Sequence, residues 1–455
     1  MECYTCGIIT HVRRDLRVQQ SIAGMRPGPS YECIKMSASS SDGCRRVVVT
    51  GMGLVCPVGN TVEDSWNHIR RGKTGIDRLT LFEPSHINTH IAGEVKEFDS
   101  EAIFGRRESR RTDRFVQFAL VAGQQALTDA GFQINDANRY DVGCVVGTGI
   151  GGIGTLYLGI QRFIAKGQKG VSPLMVPMML PDAAAGKVSI DFGIRGPNWS
   201  INTACATGNN CIGDAAELIR KGDVNTMLTG SAEAALQDIC VVGFANMTAL
   251  SHRNDDPQGA SRPFDADRDG FVMAEGAGML LLEEREQARA RGAHIYAEIL
   301  GYGSTSDAHH ITAPSEDGES AAEAVRLAMA DAGLQATEID YINAHGTSTP
   351  LNDTSETNAL KLALGELAYQ IPISSTKSMT GHMLGAAGSA EAIFSLLAMR
   401  DGFVPPTINY ETPDPSCDLD YTANQGKTRA IDHVMTNSFG FGGHNAVLIF
   451  GKHRD

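Results

Sequence analysis

Hydrophobic and polar positions along the chain follow two alternating rhythms. Short continuous apolar runs at 45–54, 141–146, 224–229, 295–302, 339–343, 371–375 and 445–450 read as buried strands. Between them apolar residues recur at spacings of three and four. Phe115, Phe118, Ala119, Ala122 and Ala126 predict a helix over 115–130, and Ile212, Ala215, Ala216 and Ile219 predict one over 209–220 that Lys221-Gly222 ends. Further helices are expected at 64–71, 284–291, 320–332, 354–364 and 386–399. Strand–helix alternation of this kind implies mainly parallel sheets covered by helices. It begins again near residue 295, so the chain reads as α/β with two topologically similar halves, 46–295 and 296–451. The repeat is one of topology; the halves do not align residue by residue.

Residues 1–45 break this rhythm. They hold Arg13, Arg14, Arg17, Arg26, Pro27, Pro29 and a serine-rich run at 37–41, with no apolar period. Three readings stand: a disordered leader, a transit peptide (opposed by Glu2, Asp15, Glu32 and Asp42), or residues upstream of a natural start at Met36. The remainder is long enough for two fused units. No apolar run approaches the roughly 20 residues that cross a bilayer, and a net charge of −14 opposes broad nucleic-acid binding. The ten cysteines are scattered, which favours a reducing compartment. A cytoplasmic protein is expected, or a plastid or mitochondrial one if residues 1–45 are a transit peptide. Cys3 and Cys6 lack a second pair to complete a zinc site, so no metal is expected.

Candidate chemistry gathers where strands hand over to helices. Cys205 lies in the turn 204–208, between an extended segment and the helix beginning near 209. Unpaired N–H groups and the helix dipole favour an anion there, so the thiol is expected to ionise below about 8.5. The alternative is a buried cysteine acting as a small hydrophobe. His345 and His382 each fall in a loop after a predicted strand, where a lone histidine is commonly a capping or solvated residue. Two at equivalent places, with a cysteine in the same kind of place, form a candidate constellation. The run from Asn437 to Asn445 is glycine-rich and offers either close-approaching N–H groups for an oxyanion or a plain turn between strands.

Several other motifs suggest chemistry of their own. Gly147-Thr-Gly149-Ile-Gly151-Gly152 matches a dinucleotide fingerprint, but the second strand with its acidic residue is missing. A tight turn with Ile150 as an apolar pocket wall is the better reading. The apolar segment 171–180 fits a tunnel, a subunit contact or ordinary core. Asp265–Gly276 fails as a calcium loop because its twelfth position is Gly276. Arg106, Arg107, Arg110, Arg111 and Arg114 form a basic cluster on an acidic chain, either a solvated face or a dock for an acidic partner.

With Thr203-Ala-Cys205-Ala-Thr-Gly, Asn343-Ala-His345-Gly-Thr-Ser-Thr, Lys377-Ser-Met-Thr-Gly-His382 and Asn437-Ser-Phe-Gly-Phe-Gly-Gly in this order, the chain resembles the β-ketoacyl-acyl-carrier-protein synthases, specifically the type II elongating condensing enzymes. The resemblance runs from about Arg46 to Phe450. It implies a thiolase-like fold, five layers in the order αβαβα, a homodimer, no cofactor, and acyl and malonyl forms of acyl carrier protein as partners. By the same resemblance Cys205 carries the acyl chain, and His345 and His382 hydrogen-bond the malonyl thioester. Lys377 and Glu391 are a supporting ion pair, and the N–H groups of Cys205 and Phe441 form an oxyanion hole. Thr347 and Thr349 hold the phosphopantetheine arm, with Thr312 and Phe439 also at the substrate. Phe441 gates the acyl tunnel, Ile150 limits its depth, and Arg106, Arg107, Arg110 and Arg111 dock the carrier. His444 departs from the threonine of many relatives, and Leu351-Asn352 from a common Ala-Gly. A polyketide ketosynthase, a thiolase and a non-catalytic chain-length partner are the alternatives. The second histidine opposes a thiolase, and the presence of Cys205 opposes the non-catalytic role.

Overall fold

The structure is a computed structural model that describes residues 45–454; the leader readings for 1–44 lie outside the described residues. Among the described residues ten strands join in one mixed sheet: β1 (Val47–Val55), β2 (Val142–Gly147), β3 (Asn198–Trp199), β4 (Thr226–Glu233), β5 (Gly276–Glu284), β6 (Ala297–Ser306), β7 (Tyr341–Asn343), β8 (Ile373–Ser374), β9 (His433–Gly440) and β10 (His444–Gly451). Their order is β8-β7-β9-β10-β6-β1-β5-β4-β2-β3. Outward from β1 the pairings run antiparallel, antiparallel, parallel, parallel. Outward from β6 the same four pairings recur. The two series meet where β1 and β6 pair antiparallel, Val48 opposite Glu298 and Val49 opposite Ala297.

Eight helices matter for the site: α1 (Arg114–Asp129), α2 (Ile153–Lys166), α3 (Ala183–Phe192), α4 (Thr207–Lys221), α5 (Asp238–Asn246), α6 (Glu319–Ala332), α7 (Pro350–Leu364) and α8 (Ala387–Asp401). α4 and α8 pack against strands of both series and against each other. Every residue of α8 from Ala387 to Met399 is buried, as a helix enclosed between the two series of strands requires. α1 and α3 cover the outer face of one series, and α6 covers the other with α7 packed against α6. The result is the expected five-layered αβαβα arrangement.

The close helix–sheet contacts on the two sides use the same device. A Cβ on Gly51 or Gly53 of β1 would lie 2.1 or 1.9 Å from carbonyl oxygens of α1. On Gly301 or Gly303 of β6 it would lie 2.1 Å from carbonyl oxygens of α6. Only glycine permits this approach.

Four expectations change. The sheet is mixed rather than mainly parallel, five of its nine strand pairings being antiparallel. β9 occupies residues read as the start of a glycine-rich turn. Its Thr436, Asn437 and Ser438 are polar yet fully buried beneath α8, so no apolar run advertises the strand. The segment 171–180 contains a short helix, Met175–Met179, with no buried residue, which removes the core reading. His382 does not directly follow a strand, because the helical turn Lys377–Thr380 intervenes.

Candidate functional site

Cys205 sits in a single 3₁₀ turn, Ala204–Ala206, between β3 and α4. Ala204 adopts φ +48°, a left-handed conformation that costs a non-glycine residue about 1–2 kcal/mol. Thr207 helps hold it: its hydroxyl donates to the Ala204 carbonyl at 2.7 Å and accepts from the Thr203 N–H at 2.9 Å. The turn aims the sulfur at two imidazoles from the other half. His382 Nε2 is 3.0 Å from Cys205 Sγ. The His345 and His382 rings stand nearly perpendicular, 84°, with centroids 5.4 Å apart. Phe271 meets His382 edge-on at 5.3 Å, and Phe439 lies 5.9 Å from His345.

Behind the rings lies a buried charged set. Lys377 pairs with Glu391, and its Nζ is 3.4 Å from His345 Nδ1. An ammonium can only donate, so Nδ1 accepts and the His345 proton resides on Nε2. Burial, then Lys377, holds both imidazoles well below the ordinary histidine range, so both are neutral at pH 7. Glu391 is pushed up to about 7, because burial outweighs the attraction of Lys377. The His345 loop is tied down by Glu356, which accepts from the N–H groups of His345 and Gly346, each at 2.8 Å.

The expected acidity of Cys205 is corrected. Burial pushes the thiol up to about 12; Lys377 and the Phe441 N–H oppose this and do not overcome it. Desolvation is the larger effect at this helix terminus, since only 8 % of the residue is exposed. At rest the group is a thiol, and its proton must leave during attack.

A cavity of about 510 Å³ opens onto this group. Its walls include Ile150, Thr312, Thr347, Thr349, Phe439 and Phe441 together with Cys205, His345 and His382. Lys377 and Glu391 support the histidines from outside it. The Thr347 and Thr349 hydroxyls are 2.9 Å apart. Gly149 and Ile150 line the cavity, as expected of a tight turn rather than a nucleotide loop. Arg106, Arg107, Arg110 and Arg111 are exposed but line none of it. Arg114 leaves the cluster altogether: it turns inward, bonding Glu275 at 2.7 Å with its guanidinium over Phe118. Donor atoms of Cys205, His345 and His382 fall within 4.8 Å of one another, a spacing a soft cation could use. The Lys377 ammonium beside them opposes a second positive charge.

Sequence reasoning missed Glu233, Glu356, Phe271 and Arg268. Arg268, inside the rejected calcium-like motif, pairs with Asp353 and Asp414 and donates to the carbonyls of Thr349 and Pro350. The motif therefore braces the loop of the two threonines. An acidic residue closing an apolar strand, as at Glu233, was the one available signal for a buried anion.

Residues 44–288 match the β-ketoacyl synthase N-terminal domain, and residues 296–411 match the C-terminal domain. The 3-oxoacyl-[acyl-carrier-protein] synthase 2 of Staphylococcus aureus is 50% identical over 408 residues, 90% of this chain and 98% of that one. The same-named protein of Synechocystis is 50% identical over 410 residues, 90% of this chain and 99% of its own. Among solved structures, a β-ketoacyl synthase from Burkholderia phymatum superposes with a TM-score of 0.83 at 36% identity, covering 90% of this chain and all of that one. A type II polyketide ketosynthase, solved with its acyl-carrier protein and bound to a hexaketide, gives 0.84 at 38% identity, with coverage of 90% and 100%. With a matching domain over each part and half its residues shared along nearly the whole of its relatives, the chain belongs to the β-ketoacyl synthase family.

Proposed function

We propose that this protein is a 3-oxoacyl-acyl-carrier-protein synthase, an acyltransferase that lengthens an acyl chain by two carbons through decarboxylative condensation with malonyl carrier. One observation carries the reading: a thiol 3.0 Å from a neutral imidazole, with a second neutral imidazole beside it, where an apolar cavity ends. Cys205 attacks the acyl-carrier thioester, and His382 Nε2 takes the thiol proton and hands it to the departing carrier thiolate. The oxyanion forms against the N–H groups of Cys205 and Phe441. Malonyl carrier then loses carbon dioxide. The enolate oxygen accepts hydrogen bonds from His345 Nε2–H and from His382 in its Nε2–H tautomer, and its carbon attacks the Cys205 thioester. The C–S bond to Cys205 breaks, the 3-oxoacyl carrier leaves, and the cysteine thiolate takes one proton from solvent.

Thr347 and Thr349 hold the phosphopantetheine arm, with Thr312 at the same mouth. Phe439 lines the chamber, Phe441 gates it, and Ile150 ends it. Arg106, Arg107, Arg110 and Arg111 meet the acidic carrier. The chain divides into thiolase-like halves near residue 295. It acts as a homodimer through the face around β3: among the described residues this sheet edge has no outer neighbour, and Ile190 on α3, which packs on β3, is 76% exposed. Phe163, Ile164 and Val176 are 57%, 79% and 56% exposed. Exposed apolar patches and open edges of this kind are covered in stable proteins. Cys56, Cys144, Cys205, Cys211, Cys240 and Cys417 are free thiols, which fits a cytoplasmic or other reducing setting.

Intact-protein mass spectrometry after incubation with acyl carrier tests the reading. An acyl adduct on Cys205 is expected, and no adduct would favour a non-catalytic chain-length partner. Cys205→Gln should still decarboxylate malonyl carrier. If Cys205→Gln with His345→Ala decarboxylates at the same rate, the role of His345 is wrong.

A further inference from the structure

Glu233 closes β4 and is wholly buried. Four neutral donors converge on its carboxylate. Oε1 accepts from the Thr148 hydroxyl at 3.0 Å and the Ile150 N–H at 3.3 Å. Oε2 accepts from the Gly149 N–H at 2.7 Å and the Gly385 N–H at 3.1 Å. The first three belong to the loop that walls one side of the cavity. Gly385 belongs to the turn Leu384–Ala386, just beyond His382, in the other half of the chain.

The two loops touch across this carboxylate. A Cβ on Gly385 would stand 2.2 Å from the Gly149 nitrogen, and one on Gly149 would stand 2.7 Å from Glu233 Oε2. Burial pushes the carboxyl up to about 7 against the pull of its donors, so the anion is held at a cost. A neutral apolar filling would serve stability at least as well. What the carboxylate uniquely supplies is four accepting lone pairs at one point, which fix two loops relative to each other.

We propose that Glu233 is a positioning residue for acyl-chain length: it clamps Ile150 against the turn after His382 and so sets the depth of the chamber behind Cys205. The inference rests on the reading of Cys205 as the acylated nucleophile and Ile150 as the end wall. An amide at this position accepts at one oxygen only and turns an N–H₂ group toward two donors. The wall should then yield, and longer chains should gain relative to shorter ones.

The test compares rates of Cys205 acylation by hexanoyl and hexadecanoyl carrier in the full chain, Glu233→Gln, Ile150→Ala and the double variant. The hexadecanoyl-to-hexanoyl ratio should rise about tenfold in Glu233→Gln, the weight of one lost hydrogen bond to a charged group. Because Glu233 acts through Ile150, the double variant should match Ile150→Ala alone. A merely structural role slows both chains alike. A ratio within about twofold of the unaltered protein, or shifts that multiply in the double variant, overturns the clamp. If Glu233→Gln does not fold, Thr148→Val decides: it removes one donor and keeps the shape, and an unmoved ratio there also overturns the clamp. Failure of the unaltered chain to form any adduct would overturn the function and the clamp together. A normal adduct with an unmoved ratio overturns the clamp alone.

Discussion

The turns Ala204–Ala206 and Leu384–Ala386 occupy matching places in the two halves. Each is one 3₁₀ turn that begins on a residue with φ +48° and runs straight into a helix of 15 residues, α4 or α8. Their middle residues differ. The first presents Cys205 to the cavity; the second presents Gly385, whose N–H is spent on Glu233. Two residues before each turn stand Asn202 and His382. Asn202 bonds the Thr148 carbonyl at 2.6 Å, whereas His382 faces the sulfur. A repeated fold thus offers two equivalent helix amino termini. One bears the nucleophile, and the other is closed against a carboxylate so that the histidine beside it keeps its place.

The sharpest way to break the comparison is Cys205→Ala. Condensation measured by product formation should fall by at least about a thousandfold, since no other group can carry the thioester. Its melting temperature should stay close to that of the unaltered protein, because the change removes one small buried atom. The matching exchange in the other turn reverses this pattern. Gly385→Ala drives a Cβ to 2.2 Å from a backbone nitrogen, and denaturant unfolding should show a loss on the order of 2–3 kcal/mol.

Removing one partner of the buried charge pair should cost more stability than that. Lys377→Met leaves Glu391 without its cation, for about 3–5 kcal/mol by denaturant midpoint, and malonyl decarboxylation should fall with it. A variant as stable as the parent would show that Glu391 is already neutral.

Glu356 sharpens the comparison through pH. Burial raises its carboxyl from 4.5 to about 7. The folded form therefore holds the proton more tightly. Its stabilising contribution is complete below pH 4.5 and disappears as pH rises through 7. Glu356→Gln should lack this decline, on the order of 3 kcal/mol, when unfolding is compared on either side of that window. Equal slopes in both proteins would remove the argument.

The smallest effect belongs to the surface. Arg106→Glu with Arg110→Glu should raise the apparent KM for acyl carrier a few-fold at low salt and little at high salt, as screened steering requires. A salt-independent change would count against docking there.

Much of the fold was legible because buried strands and one-faced helices impose period on the chain. β1, β2, β4, α1, α4 and α6 lie within a few residues of their expected places. β9 was not legible, since its buried Val434 and Met435 are followed at once by the buried polar residues Thr436, Asn437 and Ser438, enclosed by neighbours distant in sequence. Nor did the halves align by eye. Gly51 and Gly53 match Gly301 and Gly303, yet Cys205 matches Gly385, so the offset between halves drifts with loop length.

Residue order alone determined the alternating α/β layers, the nucleophile's place before a helix, and the two histidines in their loops. Those features depend on local periodicity and on which residue types follow one another. Only the tertiary structure decided that the thiol is pushed up rather than down, that Arg114 is an interior ion-pair partner, and that Glu233 and Glu356 hold the two loops beside the histidines. Burial and ion pairing depend on what arrives from the other half of the molecule, and sequence separation carries no record of that distance.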